Sequence, residues 1–375
     1  MPDFPQAEYQ DRLTKAQHAM VAAGFDALFL NTEAELRYFT GFRTLFWQSP
    51  TRPWFLILPQ SGAPIAVIPT IGAALMRQTW VSDIRTFASP NPDDEGIGLL
   101  QDALQPFQRI GMPMGQESAL RFSPADFDRL RQALKGQFSD ATPLIKSLRM
   151  IKSNAEIDVI SKICAIASNA FDQAESLFYA DQPLSDAFRA FKIALLSAGA
   201  DDVPYLVGGA GQGGYGDVIS PPDGTPLAPG DVLMLDTGAT LQGYFCDFDR
   251  NFAIGNTTPQ ARDTYRALWA ATEAGIAAAR PGVRTSDLFA AMAQELPQAG
   301  GDVGRFGHGL GMQLTEWPSI AANDHTILEP GMVMTLEPSA EMSTGRMMVH
   351  EENILITTGA PILLTKRAAP DLPVI

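Results

Sequence analysis

The chain has 375 residues, 46% of them apolar and 18% charged, and a formal net charge of −15 at neutral pH. That length accommodates two domains with separate cores, and that charge argues against phosphate backbones or anionic membranes as partners. Two cysteines, Cys164 and Cys246, are too few for a disulfide framework or a thiolate zinc site, so a reducing compartment is expected. The N-terminus, MPDFPQAEYQDRL, lacks the basic and apolar regions of a signal peptide, and no apolar run is long enough to span a bilayer. The expected location is cytoplasmic, with no nucleic-acid or membrane partner.

In chain order, Leu13, Ala16, Met20 and Ala23 recur at helical spacing within residues 9–24, and Gly24 is a stop signal. Strands are expected at 27–30, 54–58 and 65–68, the last two joined by a return at Pro59-Gln60-Ser61-Gly62. Alternation of helix and strand continues through Arg109-Ile110-Gly111-Met112 to about residue 147, the pattern of an α/β domain. Near residue 150 the character changes. Ser153-Asn154-Ala155-Glu156 is a capping box opening a long helix with Ile157, Ile160, Ile163, Ile166 and Ala167 on one stripe. Two domains, 1–149 and 150–375, are therefore expected. After a helix at 184–198 comes GGAGQGGYG (208–216), a nominal G-x-G-x-x-G. The helix that dinucleotide binding needs is replaced by Asp217 to Gly224 with two prolines, so a flexible loop beside a cleft is expected. Further helices are expected at 258–279 and 285–296.

The stretch from Asp231 to Gly255 carries the chemistry. Val232 to Leu235 read as a buried strand ending on Asp236, broken there by Thr237-Gly238. A second strand after the Leu241-Gln242-Gly243 turn sets Phe245, Asp247 and Asp249 on one face. Two carboxylates converging in a core of Leu, Met and Phe repel unless a proton or a cation lies between them. The anomaly recurs. Gly331 to Glu337 is an apolar strand ending on an acid, and Met347 to Thr357 is one interrupted by Glu351 and Glu352. His308 lies between Gly307 and Gly309, where backbone approaches closely. Four carboxylates (Asp236, Asp247, Glu337 and Glu351) and one imidazole match two divalent cations, and this donor set favours Mn, Fe, Co or Zn. Such a pair activates water for hydrolysis. Competing chemistries are weak: G-x-S-x-G is absent, and His350-Glu351 has Ile354 where H-E-x-x-H needs its second histidine.

LDTG…CDFDRNFAIG, GHGLG, TLEP and VHEEN, in this order and spacing, together with RYFTGF (37–42) and IKSNAEI (151–157), resemble the creatinase / aminopeptidase P / prolidase / methionine aminopeptidase superfamily, M24. The resemblance implies a creatinase-type α/β N-terminal domain, and an α+β pita-bread catalytic domain with a curved antiparallel sheet. It implies that Asp236, Asp247, His308, Glu337 and Glu351 are metal ligands, with Asp247 and Glu351 bridging. It also implies Xaa-Pro peptide hydrolysis by a metal-bridged hydroxide, with Glu337 as proton shuttle. A homodimer is implied too, with Phe46 and Trp47 expected to reach the partner's active-site mouth.

Three positions depart from the family. Thr315 stands where peptidases carry a histidine seven residues after the ligand histidine, and no histidine occurs near Ile219-Ser220, upstream of Asp236. Those histidines hydrogen-bond the substrate carbonyl and the tetrahedral intermediate. Asp249 replaces the usual Thr or Ser; it is either an added acceptor at the site or a surface partner of Arg250. His350 is turned from Glu351 by strand alternation, and His325 lies in a polar loop. Thr315, Glu316, Trp317 and Asp249 are the expected substrate contacts. Two enzymatic readings stay open: an Xaa-Pro peptidase, or a small-molecule enzyme of the same fold, either a cyclic amide or amidino hydrolase or an osmolyte lyase. A catalytically dead binding module is disfavoured, because it has no need of five charges converging in a core.

Overall fold

The computed structural model describes residues 3–49, 52–134, 138–296, 304–343 and 345–375. The chain divides into two compact units, residues 1–149 and 150–375.

In the first unit, α1 (Gln6–Ala23) stops on Gly24 at φ 75°, a left-handed turn that suits glycine. Then follow β1 (Ala27–Leu30), α2 (Glu33–Thr40), β2 (Phe55–Pro59), β3 (Ile65–Pro69), α3 (Ala73–Met76) and β4 (Asp83–Phe87). The unit continues with α4 (Ile97–Leu104), β5 (Ile110–Met112), α5 (Pro124–Ala133), β6 (Phe138–Asp140) and α6 (Thr142–Met150). The six strands form one mixed sheet, ordered β4-β3-β2-β1-β5-β6. Its central strands β1 and β2 are buried at every position, as a sheet covered on both faces requires. Phe29, Phe55, Phe122, Phe127 and Phe138 fill one side in tilted and edge-on contacts, with ring centroids 5.1–6.1 Å apart. Trp47 belongs to the same unit's interior: it is 6% exposed, 6.1 Å from the Trp54 ring. It does not project as a reaching residue would; Leu45, 85% exposed, is the outward side chain of that turn.

The second unit opens with α7 (Asn154–Phe171), capped by Ser153 and Glu156 reciprocally. Then come α8 (Ala174–Leu177), α9 (Leu184–Ala198), β7 (Asp202–Gln212), β8 (Asp231–Leu241), β9 (Tyr244–Phe245), β10 (Phe248–Ala253), α10 (Pro259–Ala278) and α11 (Thr285–Gln294). The rest is strand: β11 (Gly307–Gly309), β12 (Glu316–Ser319), β13 (Val333–Leu336), β14 (Ser339–Ser343), β15 (Arg346–Val349), β16 (Glu352–Leu355) and β17 (Ile362–Leu363). They make antiparallel sheets ordered β10-β8-β7, with β9 on β8, and β12-β11-β13-β16-β17, plus the β14-β15 hairpin. Helix α7 packs on β8 and β9, α9 on β7, and α10 on β13, β14 and β15. Among the described residues no helix is long and apolar enough to cross a membrane.

Three local expectations change. Strand β8 does not break at Thr237-Gly238; it runs on to Leu241, leaving Asp236 mid-strand. Gly238 is there for space, since a Cβ would lie 2.3 Å from Leu314 Cδ1. The glycine-rich segment is strand rather than loop as far as Gln212: Gly208 packs so closely on β8 that a Cβ would meet the Met234 carbonyl oxygen at 2.1 Å. The 347–357 run is not one strand. It divides into β15 and β16, in different sheets, and Glu351 sits at the break.

Candidate metal centre

Register brings the acids together. Across the second unit's larger sheet, His308 pairs with Thr335 and Thr335 with Asn353, one row over three strands. The β13–β16 ladder ends on the Leu336–Glu352 pair, and one step further sets Glu337 opposite Glu351. Asp247 leaves the β8 ladder between β9 and β10 and is held instead by that row. Its N–H donates to Asn353 Oδ1 at 3.0 Å, while its carbonyl accepts from Asn353 Nδ2 and, at 3.0 Å, from Thr335 Oγ1. With its backbone fixed on both sides, its carboxylate is free to face the others.

One oxygen each from Asp236, Asp247 and Glu351 lie within 4.8 Å of one another, all three side chains being buried. His308 Nε2 is 3.3 Å from Asp247 Oδ2 and 3.9 Å from Glu337 Oε2. The imidazole is aimed by its other nitrogen: Nδ1 donates to the Gly309 carbonyl at 2.9 Å, which leaves Nε2 the bare lone pair. Burial, reinforced by the Arg305 charge, pushes the His308 pKa down to about 4, so the ring is neutral at pH 7. Burial and the Glu337 charge push Asp236 up to about 8. Burial and neighbouring carboxylates also hold Asp247 and Glu351 well above the usual range.

The donor set fits divalent metal. Among the described residues Asp236 Oδ1 and Glu351 Oε2 are buried without a hydrogen-bond partner, although each belongs to a group that seeks one when dry. Carboxylate oxygens plus one neutral imidazole suit a divalent first-row metal. Without a cation the cluster holds protons instead, which fixes a pH dependence. A carboxyl whose pKa rises from 3.8 unfolded to about 8 folded, as for Asp236, takes up protons on folding. Metal-free protein therefore loses stability as pH rises from about 4 to about 8. Cations displace those protons, so saturating metal is expected to raise the Tm by roughly 5–15 °C at pH 8 and by clearly less at pH 5. Differential scanning calorimetry at the two pH values checks this; an equal gain at both contradicts it.

The adjacent acids separate cleanly. Glu352 points to the other side, to Arg250 and Arg367, each at 3.1 Å, and to Thr365, so it is compensated without a metal. Asp249 is 1% exposed, which excludes a surface ion pair. Its Oδ1 accepts the Glu351 N–H at 2.5 Å and its Oδ2 accepts Asn251 Nδ2 at 2.6 Å, so it fixes the Glu351 backbone. Glu316 is buried against Lys152 Nζ at 3.2 Å, which takes it out of solvent reach. Thr315 is half-buried and accepts from Arg305 Nη2 at 3.4 Å, and Trp317 is half-buried on β12. His350 turns to Thr272, 3.0 Å from its Nδ1, and exposed His325 lies 3.2 Å from Ser286 Oγ. Two residues near the cluster escaped sequence reasoning. Tyr205 on β7 is near Asp236, where burial and that carboxylate raise its pKa, and Arg305 lines a cavity of about 510 Å³ with Gly304, Ser319, Ala321, Asn323 and Glu337. Neither stands in an apolar run that makes its charge or hydroxyl conspicuous.

Residues 158–358, more than half the chain, match the profile of metallopeptidase family M24, and residues 12–151 match the creatinase/prolidase N-terminal domain. The chain belongs to metallopeptidase family M24. It is 28% identical over 360 residues to the probable dipeptidase PepE of Mycobacterium bovis, covering 95% of this chain and 93% of that one. It is also 28% identical to the Xaa-Pro dipeptidase of Pyrococcus furiosus, over 68% of this chain and 73% of that one. The crystal structure of dipeptidase PepE from Mycobacterium ulcerans superposes with a TM-score of 0.85 at 26% identity, covering 99% of each chain. The prolidase of Pyrococcus horikoshii has the same fold, with a TM-score of 0.82 at 21% identity over 96% of this chain and 99% of that one. The M24 protein is thus a metal-dependent hydrolase of peptidase type: a creatinase-type α/β unit followed by a pita-bread unit with antiparallel sheets.

Proposed function

We propose that this M24 protein is a dinuclear metal dipeptidase acting on short peptides, Xaa-Pro dipeptides among them. The reading rests on the buried, unpartnered oxygens of Asp236 and Glu351 beside the bare Nε2 of His308. Asp236, Asp247, His308, Glu337 and Glu351 would hold the cations, Asp247 and Glu351 being shared between them, with Asp236 serving one and His308 and Glu337 the other. Two bound cations, for which manganese is the first choice, would acidify water and polarise the scissile carbonyl. The protein's own part is positional. Asn353 and Thr335 hold Asp247, Asp249 holds Glu351, and Glu337, a third exposed at the cavity wall, is placed to carry a proton to the leaving amine. A cavity of about 510 Å³ suits a dipeptide better than an extended chain. The relatives named dipeptidase and Xaa-Pro dipeptidase support the same substrate class.

A second reading, a small-molecule hydrolase or lyase on the same fold, is favoured by one observation. The family's auxiliary histidines are not found: Thr315 occupies one position, and the region of the other, near Ile219-Ser220, has no histidine. Manganese-loaded protein is expected to cleave dipeptides, with the same peptides extended by one residue cut at least about tenfold more slowly. A full metal complement with no turnover of any dipeptide refutes the peptidase reading and leaves the small-molecule one. We also propose a cytoplasmic homodimer, expected in light scattering at twice the 40.5 kDa chain mass.

A further inference from the structure

A peptidase without those two histidines lacks their donors to the substrate carbonyl, the oxygen that gains negative charge as the amide is attacked. The cavity holds a replacement. Arg305 enters it from a fixed point, because Phe306 is pinned on all sides. Its N–H donates to Ile320 at 2.7 Å, its carbonyl accepts the Glu337 N–H at 3.0 Å, and its ring stacks on Phe289 at 4.6 Å. Arg305 thus leaves the chain directly beside the hydrogen-bond partner of Glu337, and its side chain lines the same cavity. Nη2 donates to Thr315 Oγ1 at 3.4 Å, the position where peptidases of the family carry a histidine. Among the described residues no carboxylate lies within 4 Å of the guanidinium.

We propose that Arg305, steadied by Thr315, is the hydrogen-bond donor to the substrate's scissile carbonyl oxygen, in place of the family's histidines. The inference rests on the peptidase reading above and adds the group that stabilises the developing oxyanion. A guanidinium keeps its proton throughout, so Arg305 donates and stabilises but carries no proton between atoms. Thr315 is a positioning residue: its hydroxyl orients the fork and does not meet the substrate.

The test pairs kinetics with equilibrium binding. Arg305→Gln is expected to lower kcat by roughly 100- to 1,000-fold with KM changed less than about threefold, and Arg305→Lys to recover about tenfold of that loss. In titration calorimetry a phosphinate dipeptide analogue, whose P–O⁻ mimics the tetrahedral oxyanion, should bind Arg305→Gln about 100-fold more weakly. The product amino acid, carrying only a carboxylate, should bind it as it binds wild type. Equal losses for phosphinate and product make Arg305 a carboxylate anchor and overturn the proposal; so does unchanged phosphinate affinity. If Arg305→Gln fails to fold or to hold metal, Arg305→Lys is read by the same two ligands, with a loss of about tenfold expected for the phosphinate alone. Wild-type protein that holds metal but neither cleaves dipeptides nor binds the phosphinate overturns the peptidase reading itself, a result distinct from failure at Arg305.

Discussion

Asp247→Asn is expected to abolish dipeptide hydrolysis, by at least about 1,000-fold in kcat/KM, while leaving the metal-free protein more stable than wild type at pH 8. Both effects have one cause. Asp247 is assigned to both metals, so the amide loses several kcal/mol of charge stabilisation in the reaction, and each 1.36 kcal/mol is a factor of ten. In the metal-free protein the same carboxylate is a liability: it is 4% exposed, it lies 3.3 Å from His308 Nε2, and other carboxylates face it. Asparagine keeps the volume, so no cavity opens, and the backbone clamp from Asn353 and Thr335 is untouched. Metal analysis with thermal melts of both proteins, stripped and reloaded, checks the pair of effects. A substitution that costs activity and metal-free stability together contradicts this account, because it makes Asp247 a structural residue first.

Gly307→Ala is expected to cost roughly 3–5 kcal/mol of stability and at least about 100-fold in activity. Gly307 has φ 132°, outside what an L side chain adopts at ease, and a Cβ there would lie 2.1 Å from the Thr335 carbonyl oxygen. Backbone cannot swing aside as a side chain does, so β11 must separate from β13. His308, the next residue, then shifts away from Asp247 and Glu337. Gly224→Ala is the control: a Cβ there has nothing within 4 Å, and no change is expected. Urea unfolding and initial rates on the two variants decide the matter. A Gly307→Ala protein as stable and active as the control shows that the close approach of β11 to β13 is not what places the histidine.

The acids were legible because burial makes them anomalous. Asp236 and Glu337 adjoin unbroken apolar runs, and no surface reading accounts for an acid at 7% exposure with an unpartnered oxygen. The glycines around His308 were legible for the same kind of reason, since only close backbone approach requires them. The sequence reading chose Glu351, but what sets it apart from Glu352 is visible only in the fold, where Arg250 and Arg367 arrive from distant segments to compensate Glu352. Nor did it locate the end of β8: Thr237-Gly238 carries a turn signature, yet the approach of Leu314 and Tyr205 uses that glycine inside a strand. Glu316 read as a substrate contact because its neighbours in sequence flank the site. Lys152, at the start of the second unit, is what it meets. In each case a contact made far along the chain overrode the local signal.

Diffraction from manganese-soaked crystals, with anomalous difference maps, tests the central claim most directly. The expected result is two peaks roughly 3.5–4 Å apart, flanked by Asp247 and Glu351, with His308 and Glu337 on one and Asp236 on the other. A map without density between these five side chains, in protein that nevertheless cleaves dipeptides, would contradict the account.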